Sequence, residues 1–114
     1  TAKNGHMFQS YAMLTLLQRH LQPVSTPFKI LERSLQSSRH VFLSLWKNSA
    51  SISTAAVLEK WHTFYETRFP IQPDMIVYLR VPPNLAYERV LSRARGEEDS
   101  VSLSYLNSVH EAHE

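Results

Sequence analysis

No cysteine occurs in the 114 residues, so a disulfide scaffold and thiolate metal sites are both excluded, which suits an intracellular protein. No apolar run approaches the roughly 20 residues needed to span a bilayer, and no membrane partner is expected. Neither sign of charge dominates: 12 Lys and Arg against 10 Asp and Glu leave a net charge of +2. The isoelectric point of about 9.1 therefore reflects a small imbalance, not the broad basic face that nucleic-acid binders use. Internal repeats and low-complexity tracts are also missing. What remains has the apolar content of one small globular domain, or part of one. The start at Thr1 without a methionine, and the stop at Glu114 inside an expected helix, read as a partial domain over residues 1–114.

Apolar residues at Met7, Phe8, Tyr11, Leu14, Leu17 and Leu21 repeat with helical spacing until Pro23 forbids continuation. The short run Phe28–Leu31 reads as a buried strand ending in Glu32-Arg33. Leu35 to Trp46 predicts a second helix, interrupted by the serine-rich stretch 48–53. Ser53 or Thr54 is expected to cap a third, with Val57, Leu58, Trp61, Phe64 and Tyr65 as its apolar stripe and a stop near Arg68. Met75–Leu79 is apolar on both faces, as in a strand of a parallel sheet covered by helices. A helix then runs from Pro83 or Asn84 to Arg95 with Gly96 as its stop, and Ser102 caps a last one. The expected fold class is α/β.

In open parallel sheets, ligands collect at the carboxyl ends of strands, where this chain places Glu32-Arg33 and Arg80. An arginine fixed there could hold an oxyanion through its planar fork, though on spacing alone mere strand termination takes precedence. Arg89, Arg93 and Arg95 cluster at a helix end, as suits a lid closing over phosphates, but a solvated helix end balanced by Glu97 and Glu98 explains them more simply. Gln9, Tyr11 and Phe42 could hydrogen-bond and stack on a base; taken alone they read as core and helix surface. His110 and His113 are three apart, whereas a helical zinc motif needs four, so no metal site is assigned.

Three segments, in order and at matching separations, resemble the deoxynucleoside kinase family, of the insect multisubstrate and mitochondrial thymidine kinase type. They are Phe8-Gln-Ser-Tyr11; Glu32-Arg-Ser34 followed by Ser37-Ser-Arg-His-Val-Phe42; and Asp74-Met-Ile-Val-Tyr-Leu-Arg80 running on to Tyr87-Glu-Arg89 and Arg93-Ala-Arg-Gly-Glu-Glu98. Tyr105-Leu106 and His110-Glu-Ala-His-Glu114 are similar as well. The resemblance implies part of a P-loop-kinase-like parallel sheet covered by helices, with the phosphate-loop portion absent. It also implies ATP and Mg²⁺ as cofactors and a deoxynucleoside as substrate. Gln9 would bond the base edge and Phe42 would stack on its face. Arg33 would act near the sugar 5′-hydroxyl and the incoming phosphate, with Glu32 beside it. Glu98 would accept the 3′-hydroxyl, and Arg93 and Arg95, with Arg89 at the lid's base, would clamp the ATP phosphates. Leu16 and Ser38 stand where relatives preferring purines or deoxycytidine carry an arginine and an aspartate, which implies an uncharged pocket preferring pyrimidines.

Departures follow from the same comparison. The family's glycine-rich loop and general-base carboxylate would lie upstream of Thr1, and its adenine-contacting segment downstream of Glu114. These 114 residues alone are therefore expected not to phosphorylate nucleosides. Leu91 stands where the insect relative has arginine, lowering the lid charge. A cytoplasmic or mitochondrial location and a homodimer formed through the first two helices are implied; nucleic acid is not expected as a partner. The alternatives are a nucleoside monophosphate kinase, which shares the sheet and lid, and a noncatalytic binding protein retaining the fold.

Overall fold

A computed structural model describes residues 4–48 and 50–114; Ser49, within the serine-rich stretch, lies outside the described residues. The chain divides into two compact units, one ending at Met75 and one from Ile76 to Glu114.

The first unit is built on α1 (Gly5–Leu21), α2 (Leu35–Ser37), a π-helical turn (Ser38–Leu43), α3 (Ser44–Lys47) and α4 (Ile52–Arg68). Its core is Met13 and Leu17 of α1, Leu35, Leu43, Leu58 and Ile71, with Leu16, Trp46, Tyr65 and Phe69 packed around them. The exit from α1 is fixed by Lys29, whose Nζ donates to the carbonyls of His20 (2.8 Å) and Gln22 (2.5 Å) and so satisfies acceptors that every helix end leaves open. His20 Nε2 in turn accepts from the Leu35 amide at 3.3 Å, tying the end of α1 to the start of α2. Burial, reinforced by Lys29, lowers the His20 pKa and so favours the neutral ring that this acceptor role requires.

Ser51, not Ser53 or Thr54, caps α4, its side chain accepting from the Thr54 amide. The buried face of α4 is Ala55, Leu58 and His62, while Val57, Trp61 and Phe64 of the expected stripe stand exposed. In the second unit, α5 (Pro83–Arg93) is followed by a 3₁₀ turn (Gly96–Glu98) and α6 (Leu103–His113), capped by Ser102 as expected. The stop of α5 is Ala94 in the left-handed conformation, ahead of Gly96. Tyr78 stacks on His113 with ring centroids 5.4 Å apart, and Arg80 makes two bonds to Glu114, at 2.9 and 2.7 Å.

The expected α/β sheet is not formed: no strand occurs among the described residues. Phe28–Leu31 and Met75–Leu79 have no regular secondary structure, with Ile30 94% and Leu79 82% exposed. Apolar character on both faces specifies an extended backbone only; a strand exists when another strand takes up its amides and carbonyls, and none does so here.

Candidate functional site

The Glu-Arg-Ser segment lies at the entrance to α2. Ser34 and Ser37 cap it reciprocally, each side chain accepting from the other's amide at 3.1 Å, which sets where the helix begins. Arg33, one residue earlier, has φ 64°, a left-handed conformation that costs a side-chain-bearing residue about 1 kcal/mol or more. Its guanidinium turns back over the Phe42 ring, 4.7 Å from the centroid, close enough for a cation–π contact.

Phe42 belongs to the π-helical turn, whose wider winding is rare and occurs mostly as short insertions, frequently at functional sites. Ser38, at the start of this turn, is buried, and Phe42 is half-buried. On α1, Gln9, Met13 and Leu16 share a face through spacings of four and three, with Met13 buried and its two neighbours half-buried. That helix packs on the π-helical turn. Glu32 borders an open hollow shared with Arg19, Gln22 and Phe28; neither Gln9 nor Phe42 lines it.

In the second unit, Arg89 and Arg93 lie one turn apart on α5, and Arg95 follows the left-handed Ala94. Arg93 Nη2 lies 3.1 Å from Glu98 Oε2, yet this oxygen receives no well-directed hydrogen bond, so the contact is one of charge. Glu98, expected at a sugar hydroxyl, and Arg93, expected at phosphates, thus face each other across the Ala94 turn. Arg89 and Arg95 are exposed. Among the described residues, no three His, Asp or Glu side chains converge in a way that would hold a metal ion. Among the described residues no Mg²⁺ site is formed.

The family model described as deoxynucleoside kinase matches residues 2–114. The chain belongs to the deoxynucleoside kinase family. It is 34% identical over 112 residues to "Thymidine kinase 2, mitochondrial" of Homo sapiens, covering 96% of this chain and 42% of that protein. Against "Deoxycytidine kinase 2" of Gallus gallus the identity is 35% over 121 residues, with 96% and 46% covered. Against "Deoxyguanosine kinase, mitochondrial" of Xenopus laevis it is 30%, again with 96% and 46% covered. This deoxynucleoside kinase chain thus spans less than half the length of these curated relatives. No helix among its described residues is long and apolar enough to cross a membrane.

Two features of the site were missed in the sequence. The Arg33–Phe42 contact joins residues from two separate elements, and no periodicity links them. Spacing alone puts Arg39 in the Leu35–Trp46 helix and gives it no partner, although Glu59, Thr63 and Glu66, spaced by four and three residues, make one polar face on a facing helix.

Proposed function

We propose that these residues form the nucleoside-binding and lid segments of an ATP-dependent deoxynucleoside kinase that places the γ-phosphate on the 5′-hydroxyl of deoxynucleosides in nucleotide salvage. Family membership supports the chemistry, and the observation that carries the site is the Arg33 guanidinium on the face of Phe42. A guanidinium, a group suited to phosphates, thus lies against an aromatic ring, a group suited to stacking on a base.

In this reading Phe42 stacks on the base and Gln9, with one donor and one acceptor, bonds its edge. Arg33 and Glu32 serve the 5′-oxygen and the phosphoryl group in flight; Glu98 accepts the 3′-hydroxyl; Arg89, Arg93 and Arg95 neutralise the ATP phosphates. Phosphoryl transfer asks the protein for positioning and charge stabilisation more than for covalent chemistry, which is what this set of residues offers. Leu16 and Ser38 put no charge on the pocket wall, which supports a preference for thymidine and deoxycytidine. Mg²⁺ would come with ATP. The exposed row Met7, Tyr11, Leu14 and Leu21 on α1 supports a homodimer, and the mitochondrial kinases among the relatives support cytoplasm or mitochondria as the compartment.

The test is phosphate transfer from ATP to thymidine, deoxycytidine, deoxyadenosine and deoxyguanosine by the full-length protein, with Arg33→Ala alongside. We expect transfer to the pyrimidine nucleosides, reduced about a thousandfold or more in the variant. A preference for deoxyguanosine overturns the base assignment. No transfer to any nucleoside by a folded full-length protein overturns the kinase reading.

A further inference from the structure

Arg39 lies inside the π-helical turn, between Ser38 and Phe42 in the chain. Its guanidinium spans one face of α4. Nε donates to Glu59 Oε2 at 2.9 Å, Nη1 to Glu66 Oε2 at 2.5 Å and Nη2 to Thr63 Oγ1 at 3.0 Å. Lys47 of α3 also reaches Glu59, so that carboxylate is shared by two cations. The Arg39, Glu59 and Glu66 side chains are each less than a third exposed. Partly buried, networked pairs of this kind hold geometry better than isolated surface pairs.

A π-helical turn has weaker internal bonding than the α-helices on either side and persists where its surroundings impose it. Buried Val41 and Leu43 anchor the side of the turn facing the core, and Arg39 fastens it to α4. Rewinding these six residues as α-helix would rotate Phe42 relative to Ser38, and Arg39 could not then reach all three acceptors.

We propose that Arg39 is a positioning residue for nucleoside specificity: by clamping the π-helical turn to Glu59, Thr63 and Glu66, it sets the angle at which Phe42 and Ser38 meet the base. This rests on the kinase reading for its catalytic consequence, though the clamp itself can be tested without it. Lysine keeps the charge at this position but lacks the fork, so it cannot serve three acceptors at once.

The experiment compares full-length wild type with Arg39→Lys and Glu66→Gln. Hydrogen exchange at the amides of 38–43 reads the clamp directly, with α1 amides as the internal reference. Faster exchange confined to 38–43, more in Arg39→Lys than in Glu66→Gln, supports the proposal; unchanged exchange overturns it whatever the activity. In steady-state kinetics, KM for thymidine should rise about tenfold or more in Arg39→Lys, with KM for ATP unchanged, since a misplaced contact can cost up to about a hundredfold. The thymidine to deoxyguanosine selectivity should narrow as well. A variant with lower thermal stability but unaltered KM values and selectivity would make Arg39 structural only, overturning the proposal. Absence of transfer by the wild type would reject the kinase reading alone, and hydrogen exchange would then decide the clamp.

Discussion

His62 is 3% exposed on the inner face of α4, and its Nδ1 has no hydrogen-bond partner among the described residues. Burial, with the Arg39 charge adding to it, holds its pKa down to about 4 from 6.5, against an opposite pull from Glu66 and Glu59. The unfolded chain therefore takes up this proton near pH 6.5, while the folded chain resists until about 4. Stability is full above that window and falls as the pH drops through it, by at most ~3 kcal/mol from this residue. His20, whose pKa is also lowered, acts in the same direction. Burial raises Glu59, but the hydrogen bonds and charges of Lys47 and Arg39 outweigh it, so its carboxyl titrates below the usual range and its contribution is lost only at more acid pH. We expect the urea midpoint to fall between pH 7 and pH 4.5, and His62→Leu to flatten that slope without abolishing it. An unchanged slope in the variant would remove His62 from the account.

Among elements, α1 meets α3 in a close contact. Gly5 opens α1 against the Trp46 indole, and a methyl group placed on Gly5 would collide with the indole nitrogen. Alanine is the better helix former by about 1 kcal/mol, but the collision opposes it and overpacking typically costs ~1–3 kcal/mol. Gly5→Ala should therefore lower the melting temperature, whereas a rise would show that Trp46 moves aside freely. Helices were legible in the sequence wherever caps and breakers stood at their ends, as with Ser102 and Pro23. Faces were less so: α4 is apolar on two sides, and the choice between Leu58 with His62 and Trp61 with Phe64 is made by what packs against it. The π-helical turn was not legible, because six residues are too few for its period to differ visibly from 3.6. The Glu-Arg-Ser segment was legible as a motif, but its meeting with Phe42 depends on a left-handed Arg33 that propensity argues against. The two expected strands were legible as extended chain only, since pairing belongs to neighbours.

For the molecule as a whole, those two unpaired segments are expected to govern association. Phe28 and Ile30, and Met75, Ile76, Val77 and Leu79, are all exposed, on backbone whose hydrogen-bonding groups no strand takes up. Such segments associate edge to edge. The 114-residue chain should show concentration-dependent association in light scattering, and Ile30→Lys with Val77→Lys should suppress it; a monomer at all concentrations would contradict this.

The bonds from Lys29 to the end of α1, and from Leu35 to His20, leave slack only at 23–28. Sequence drift in this protein should therefore be uneven along one short connection. Extra residues can accumulate around Ser25, where they lengthen an open loop, whereas a single insertion between Lys29 and Leu35 would shift Arg33 out of reach of Phe42. Length variation among natural variants is in this way expected on one side of Lys29 only.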